Sequence, residues 1–431
     1  MKAIGIDIGT TSICGVVIDI ESGDVINSCT KNSNAFLKGC AEWEKIQSVE
    51  KIISVAFEIL DGFIDDNVSV IGVTGQMHGI VYVDAYGDAV SPLYTWQDGR
   101  GNLTYNDTTY AKYLDSFSGY GNVTDFYNRV NGIRPDNAVS YCTIQDYLVM
   151  KLCGLNKPVI HSSNAASLGR YDIRKNSFDY DFNVQVINDY YIAGKYKNIP
   201  VSVAIGDNQA SVFSTLDDEN DILINTGTGS QISILSDDII VNNDIEVRPY
   251  FENKYLIVGA ALCGGRAYSL LKSFYSEIIG YISKVDDDKI YAIMEKMIQN
   301  NDELTINVDT RFAGTRSNSD ICGSIKGLTT ENFNPSQFTM GVIDGMADEL
   351  YKMYKSMKSE RRGIVGSGNG IRKNPTLIKA FETKFEKTMK IPVHLEEASF
   401  GAALFGLVSG SVYSSRKEAQ SVIKYVTDKN L

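Results

Sequence analysis

The chain has 431 residues, enough for two to four domains of about 100–200 residues each. Hydrophobic residues make up 43% of it and charged residues 22%, usage typical of a globular protein that forms its cores without disulfides. The net charge of -12 argues against a nucleic-acid partner, because binding nucleic acid requires a concentrated basic surface and no Lys/Arg stripe is present.

Cysteine usage and the lengths of the apolar runs indicate a compartment. The seven cysteines show no CxxC spacing, so we expect free thiols in a reducing environment and no zinc site. The N-terminal MKAIGIDIG lacks the apolar stretch of a signal peptide, and no run of about 18 apolar residues occurs. We therefore expect a cytoplasmic protein that makes no contact with a membrane.

A strand–turn–strand pattern opens the chain and returns once. Lys2–Ile6 and Ile13–Asp19 are predicted strands on either side of the turn DIGTTS. Asp221–Ile224 and Gln231–Leu235 are predicted strands around the similar turn NTGTGS. Because the same pattern recurs about half a chain later, the sequence predicts two similar domains.

Helices and strands alternate between and after these turns. Residues 44–65 carry apolar side chains at helical spacing, and Val68–Val73 and Val201–Ile205 read as buried strands. The remaining predicted elements are helices at 341–355, 375–385 and 398–408 and a strand at 363–365 that ends in the glycine-rich turn GSGNG. This alternation is typical of an α/β protein.

Asp7 ends the first strand at a Gly/Thr loop, which is a setting suited to a polyphosphate. Such a loop presents several backbone N–H groups and hydroxyls on one side. Asp7 can approach phosphates only with a cation between them, so it is a candidate to hold Mg²⁺ through water. The alternative is an aspartate that caps a turn. The second loop of the same kind favours phosphate binding.

Asp207 follows the strand Val201–Ile205 beside Gly206 and is a candidate general base. Phosphoryl transfer to an alcohol needs a group that orients the hydroxyl and accepts its proton. The alternative is an aspartate that caps a helix starting near Asn208. Composition alone favours this alternative.

Two short segments carry side chains suited to a polyhydroxyl ligand, since a ring packs on C–H faces and polar groups bind hydroxyls. These residues are Gln76, Met77 and His78 in GQMHG and Trp96, Gln97, Asp98 and Arg100 in TWQDGR. A structural histidine and a surface turn with a partly buried tryptophan are the respective alternatives. His161 and His394 lie in no comparable setting, and we assign them no role.

Eight motifs, in this order, resemble the FGGY carbohydrate kinases of the actin-like ATPase superfamily. They are DIGTTS at 7–12, GQMHG at 75–79, TWQDGR at 95–100, SSNAASLGRYDI at 162–173, GDNQAS at 206–211, NTGTGS at 225–230, GSGNGIRKNP at 366–375 and EEASFGAALFG at 396–406. The resemblance implies an α/β fold of two actin-like (ribonuclease H-like) ATPase domains with a deep interdomain cleft. We expect a mainly sugar-binding domain at 1–214 and a mainly nucleotide-binding domain at 215–431, with the last helix able to pack back on the first domain.

The resemblance also implies roles for individual residues, with ATP and Mg²⁺ as the nucleotide and the metal. Asp207 matches the general base and also belongs to the sugar site. The other matching positions are Thr10 and Thr11 in the first phosphate loop, Gly227 and Thr228 in the second, Gly368 and Asn369 in the adenosine turn, and Gln76, Met77, His78 and Asp98 in the sugar site.

The expected reaction is phosphorylation of a ketose at a terminal hydroxyl. Gln97, GNGIRKNP and EEASFGAALFG resemble the members that phosphorylate sedoheptulose, and the polar set of GQMHG and TWQDGR is larger than glycerol could engage. The alternative is a xylulokinase or another FGGY sugar kinase. An alternative of another class is a non-catalytic actin-like ATP-binding protein, which would need neither segment. We further expect that a homodimer is possible.

Overall fold

The computed structural model describes residues 1–39, 41–180, 182, 184–240, 242, 245–282, 287–298, 303–316, 318 and 320–426. They divide into two compact units. The first comprises Met1–Asp217, Arg248–Tyr255 and His394–Lys424, and the second Asp218–Val247, Leu256–Val393 and Tyr425–Leu431. The six described cysteines are free thiols, and Cys40 lies outside the described residues.

The strands are β1 (Lys2–Ile8), β2 (Ser12–Asp19), β3 (Val25–Asn32), β4 (Ile46–Gln47), β5 (Val68–Gly75), β6 (Val81–Val83), β7 (Leu93–Tyr94), β8 (Thr104–Tyr105), β9 (Thr108–Thr109), β10 (Ser140–Cys142), β11 (Val159–His161), β12 (Tyr171–Asp172), β13 (Ser177–Phe178), β14 (Gln185–Ile187), β15 (Ile192–Tyr196), β16 (Ile199–Ser202), β17 (Ile205–Gly206), β18 (Ile222–Thr226), β19 (Ser230–Ser236), β20 (Ile245–Pro249), β21 (Tyr255–Ala261), β22 (Asn307–Asp309), β23 (Ser324–Lys326), β24 (Ile364–Ser367) and β25 (Met389–Lys390).

The helices are α1 (Val49–Phe63), α2 (Tyr110–Tyr113), α3 (Gly121–Val130), α4 (Ile144–Cys153), α5 (Ser162–Ser167), α6 (Asp207–Thr215), α7 (Gly264–Gly280), α8 (Asp287–Ile298), α9 (Pro335–Ser356), α10 (Asn369–Arg372), α11 (Pro375–Phe385), α12 (Glu397–Ser409) and α13 (Arg416–Gln420), with a 3₁₀ turn at Gly99–Asn102. None of the helices within the described residues is long and apolar enough to cross a bilayer.

The sheet of the first unit brings three functional strand ends to one edge. Its order is β15-β16-β5-β1-β2-β3, and β17 also pairs with β5. β1 runs antiparallel to β2 but parallel to β5, which in turn is parallel to β17. Asp7 is aligned with Thr74, and Gly206 with Gly75. Because parallel strands end at the same edge, Asp7, the GQMHG segment and Asp207 meet there.

Helix α12 covers this sheet at unusually short range. A Cβ atom on Gly72 of β5 would overlap the carbonyl of Ala402 in α12. Only glycine therefore lets the helix backbone approach the strand this closely. The residues of α12 are almost all buried, and the helix places Glu396, its N-terminal flanking residue, in the first unit.

The second unit repeats the strand arrangement of the first. Its sheet has the order β20-β21-β19-β18-β24-β25. β18 is antiparallel to β19 and parallel to β24, as β1 is to β2 and β5. The repeated strand–turn–strand pattern predicted from the sequence is thus present in both units.

Three predicted element boundaries were wrong. The helix predicted from residue 44 begins at Val49, because Ser48 caps it and Ile46–Gln47 pairs with β7 as a strand. The helix predicted from residue 341 begins at Pro335, which follows the capping side chain of Asn334. The strand predicted at 201–205 is split into β16 and β17.

Candidate active site

Asp7 carries a buried carboxylate oxygen at the end of β1. Its Oδ1 atom has no hydrogen-bond partner within the described part of the chain. Burial, together with the nearby carboxylates of Asp207 and Glu396, raises the pKa of Asp7 from 3.8 to about 7. Acidic side chains from the start of α6 and the start of α12 therefore both act electrostatically on Asp7.

Such an arrangement fits a divalent cation held through water. A cation would favour the charged form of Asp7 and supply a partner for Oδ1. The described residues contain no group of three acidic, histidine or cysteine side chains close enough to ligate a metal directly. A carboxylate that reaches a cation through water would suit Mg²⁺, which commonly keeps several of its waters.

Asp207 is the first residue of α6 rather than the residue that caps it, since Gly206 occupies the N-cap position. Its Oδ1 accepts a hydrogen bond of 2.7 Å from the backbone N–H of Asn208. Burial raises the pKa of Asp207, whereas the positive charge of Arg248 lowers it. The carboxylate is therefore held in place at a helix start.

Thr10 in the first glycine loop is hydrogen-bonded to both predicted sugar-binding segments. Its Oγ1 donates to Gln76 Oε1 at 3.3 Å and accepts from Trp96 Nε1 at 3.0 Å. Gln47, a residue that sequence reasoning missed, donates from Nε2 to the Thr10 carbonyl at 2.6 Å and accepts from Gln76 Nε2 at 3.2 Å. Thr11 is exposed, and its carbonyl accepts from Ser33. The loop and Gln76 thus form one connected polar group.

His78 is oriented by backbone and aromatic contacts. Its φ of 73° lies in the left-handed region, which is uncommon for a residue other than glycine. Nδ1 lies 2.9 Å from the carbonyl of Ser167 and must donate to it, so Nε2 is the acceptor of the neutral ring. The ring stacks on Tyr120 at 4.2 Å. Met77, by contrast, is buried against Gly206.

Asp98 and Arg100 are oriented inward, which the sequence did not predict. Asp98 Oδ1 accepts from the backbone N–H and Nε of Arg100, and Oδ2 accepts from Arg100 Nη2 and the backbone N–H of Lys45. Arg100 is 1% exposed, donates to Asn128 and lies 4.3 Å from the centroid of the Tyr94 ring. With both carboxylate oxygens satisfied, this pair holds the TWQDGR turn together, and the exposed side chains of the turn are Trp96, 46% exposed, and Gln97.

The second glycine loop rests on the start of α7. Gly227 and Thr228 are exposed, and their carbonyls accept hydrogen bonds from the backbone N–H groups of Gly265 and Arg266, at 3.1 and 2.9 Å. A Cβ atom on Gly265 would overlap the Gly227 carbonyl. The Gly-Gly pair that opens α7 is thus a further part of the loop, and the sequence analysis did not single it out.

The turn GSGNG packs directly against this loop within the second unit. Gly368 has a φ of 82°, and a Cβ atom there would lie 2.6 Å from the Thr226 carbonyl. Asn225 Nδ2 donates to Ser367 Oγ at 2.7 Å, and Asn369 is exposed at the start of α10. The structure therefore brings the predicted residues Gly227, Thr228, Gly368 and Asn369 together.

Comparison with known proteins finds similarity to carbohydrate kinases in both sequence and fold. Residues 2–188 match the FGGY family of carbohydrate kinases, N-terminal domain. The sequence is 27% identical to sedoheptulokinase from Mus musculus over 93% of this chain and 96% of that one, and 22% identical to xylulose kinase from Staphylococcus xylosus over 96% and 92%. The fold resembles that of xylulose kinase from Rhodospirillum rubrum with a TM-score of 0.85, 14% identity and coverage of 99% and 93%.

The two repeated α/β units, the glycine loops and these matches define a sugar kinase of the actin-like (ribonuclease H-like) fold. Residues 2–188 match the FGGY family of carbohydrate kinases, and the chain is a phosphotransferase, for which ATP is a substrate. The resemblance inferred from the eight motifs is thereby confirmed.

Proposed function

We propose that this kinase transfers the terminal phosphoryl group of ATP to a terminal hydroxyl of a ketose, with Asp207 as the general base. The observation that carries the proposal is that Asp7 at the end of β1 and Asp207 at the start of α6 meet at one edge of the same sheet, where the two carboxyl groups interact electrostatically. Burial shifts the pKa of Asp207 upward, toward that of a group that can accept a proton at neutral pH. Asp207 orients the hydroxyl and takes its proton as the new P–O bond forms and the bond from the terminal phosphorus to the oxygen of the departing ADP breaks.

Mg²⁺, when bound with ATP, would supply positive charge to offset the negative charge on the phosphates. Asp7 would hold this cation through water, which accounts for a buried carboxylate oxygen with no protein donor. Thr10 and Thr11 in the first loop and Thr228 in the second would donate to the phosphates. Gly227, whose N–H donates to the Gly229 carbonyl, would lie beside the phosphates, and Gly368 and Asn369 would contact the adenosine.

The sugar site we propose is smaller than the sequence alone indicated. Gln76, His78 and Trp96 supply an amide, an imidazole Nε2 acceptor and an exposed ring, and Met77 is buried against Gly206. Asp98 acts indirectly by holding the turn that carries Trp96, because its four hydrogen bonds are internal. Gln97 is the remaining exposed polar residue of that turn.

Sedoheptulose is the substrate that the similarity supports best. The sedoheptulokinase from Mus musculus aligns with 96% of its own length at 27% identity, compared with 22% for the xylulose kinase from Staphylococcus xylosus. Because Asp98 and Arg100 are hydrogen-bonded to each other, fewer polar side chains are left to bind sugar hydroxyls. The preference for seven over five carbons therefore rests on similarity.

A substrate panel tests this proposal. We expect kcat/KM to be highest for sedoheptulose when sedoheptulose, xylulose, ribulose and glycerol are compared under one condition with Mg·ATP. A tenfold preference for xylulose, about 1.4 kcal/mol of transition-state stabilisation, would overturn the substrate and leave the kinase reaction. ATP hydrolysis that no sugar stimulates would instead favour a non-catalytic actin-like ATP-binding protein.

A further inference from the structure

Helix α5 is hydrogen-bonded both to the strand end before Asp207 and to His78 in the GQMHG segment, which all belong to the first unit. It comprises Ser162–Ser167, inside the SSNAASLGRYDI motif, to which the proposed reaction assigns no role. Ser162, Ser163, Asn164 and Ser167 are all buried. Buried serines and asparagines need hydrogen-bond partners, so the partners indicate what the helix does.

The start of α5 holds the residue before Asp207. The backbone N–H of Gly206 donates to Ser163 Oγ at 3.0 Å. Ser163 Oγ also lies 2.8 Å from His161 Nδ1, and that same nitrogen accepts from the backbone N–H of Ser163 at 3.1 Å. Nδ1 is therefore an acceptor, so the Ser163 hydroxyl must donate to it and present its lone pairs to Gly206.

His161 is suited to this fixed direction of hydrogen bonding. Its ring is completely buried against the rings of Phe251 and Phe405. Burial lowers its pKa to about 3, so the ring stays neutral and Nδ1 keeps its lone pair at physiological pH. A histidine that sequence analysis left without a role thus determines the orientation of the Ser163 hydroxyl.

Side chains also hold the two residues before Gly206. Asn164 Nδ2 donates to the Ala204 carbonyl at 3.1 Å, and Thr74 Oγ1 donates to the Ile205 carbonyl at 2.9 Å. Three consecutive backbone positions leading to Asp207 are thus hydrogen-bonded to buried side chains.

The end of α5 holds His78. The backbone N–H of His78 donates to Ser167 Oγ at 3.2 Å, and the His78 ring donates from Nδ1 to the Ser167 carbonyl. Asn164 adds a second connection through Gln145, whose Nε2 atom donates to Asn164 Oδ1 at 3.1 Å and to the carbonyl of Gly75 at 3.3 Å. One short helix therefore contacts both the strand end before Asp207 and the GQMHG segment.

We infer that α5 sets the distance between Asp207 and His78, with Ser163, oriented by His161, and Ser167 as positioning residues for the base and the sugar. The inference rests on the proposed function, since it assigns Asp207 to the reacting hydroxyl and His78 to the sugar. Ser163 acts on the chemical step through Asp207. Ser167 acts on sugar binding through His78.

The pair His161→Asn and His161→Leu separates positioning from packing. An Asn Oδ1 atom can occupy the place of Nδ1 and accept from Ser163, whereas Leu keeps apolar volume and accepts nothing. Because small displacements of a reacting group can cost about 10²-fold, we expect His161→Leu to lower kcat by about 10- to 100-fold and His161→Asn to recover much of it. Leu retaining more activity than Asn would show that His161 serves packing, and would overturn its role.

Ser163→Ala and Ser167→Ala test the two ends of α5. We expect Ser163→Ala to lower kcat with little change in the sugar KM, and Ser167→Ala to raise the sugar KM by about 2- to 10-fold, the effect of one hydrogen bond. Ser214→Ala is the matched control, since Ser214 is equally buried in the first unit but bonds within α6, to Ser211. Equal changes in kcat and KM for both variants, or the same changes in the control, would contradict the inference.

Hydrogen–deuterium exchange tests the same contacts without reference to a substrate. Peptides spanning residues 204–208 should exchange faster in Ser163→Ala and His161→Leu than in wild type, and His161→Asn should restore protection. If this exchange pattern is found but the wild type is inactive on every sugar, the proposed function is wrong and the hydrogen-bond chain to Gly206 is still supported. Unchanged exchange in an active enzyme would reject the chain and retain the kinase.

Discussion

Hydrogen-bond partners within the protein determine which polar side chains of the TWQDGR segment are available to a ligand. Its composition predicts a sugar-binding turn, and its exposed Trp96 agrees with that role. Asp98 is bonded to Lys45 and Arg100, and Arg100 to Asn128 in α3. No pattern within the segment reveals that distant residues satisfy these charges.

Arg248 is a further residue that the sequence did not single out. It lies at the end of β20, and the next residue, Pro249, accepts a hydrogen bond of 2.9 Å from Gln209 in α6. Its guanidinium acts electrostatically on Asp207 and on Tyr120, the ring on which His78 stacks. The charge of Arg248 thus adjusts the proton affinity of the proposed base.

The pH profile of Arg248→Met measures this adjustment. Arg248 lowers the pKa of Asp207. Its removal should raise that pKa, so the acidic limb of kcat/KM should move to higher pH, because the base must be deprotonated to act. Arg248→Lys keeps the positive charge and should leave the limb near its wild-type position. Superimposable profiles for wild type and Arg248→Met would show that the charge does not act on the base.

Secondary structure was most predictable where the chain pattern is local. The strands around both glycine loops and the helix at 375–385 follow from apolar spacing and from turn residues. Boundaries failed where a capping side chain or a distant strand intervenes, as at Ser48 and β7. Glu396 acts electrostatically on Asp7 because α12 packs against β1 and β5. No sequence pattern near either residue predicts this packing.

Close packing of α12 on the sheet predicts a strong response to a single methyl group. Gly72→Ala places Cβ against the backbone of Ala402, which cannot rotate away, and overpacking typically costs about 1–3 kcal/mol or more. Gly62→Ala in α1 is the control: a Cβ there meets nothing, and alanine favours helix by about 0.5–1 kcal/mol. Chemical unfolding should show destabilisation only for Gly72→Ala. Equal stability of the two variants would mean that α12 is not so closely packed.

The free energy of unfolding should depend on pH because the protein buries acidic side chains. Asp146 in α4 is completely buried, accepts from Thr143 and Asn164, and has its pKa raised from 3.8 to about 7 by burial. Between these values the folded state holds a proton that the unfolded state has lost. Stability therefore falls as pH rises through this window and is constant above it.

Asp146→Asn should remove part of this dependence, because the amide does not titrate. We expect the free energy of unfolding to differ less between about pH 5 and about pH 8 in the variant than in the wild type. Asp7 has a similarly raised pKa and should account for a remaining part. An unchanged difference between the two pH values would show that Asp146 is charged in the folded protein throughout.

Sugar-dependent turnover by wild type and Asp207→Asn, at saturating Mg·ATP and ketose, tests the central claim most directly. The amide cannot accept the hydroxyl proton, so we expect kcat to fall by about 10²–10⁴-fold while the Kd for ATP and the unfolding transition are unchanged. The wild-type product should be a phosphate ester at the terminal carbon of the sugar. A variant that forms this ester at near wild-type rate would contradict the assignment of Asp207 as the base.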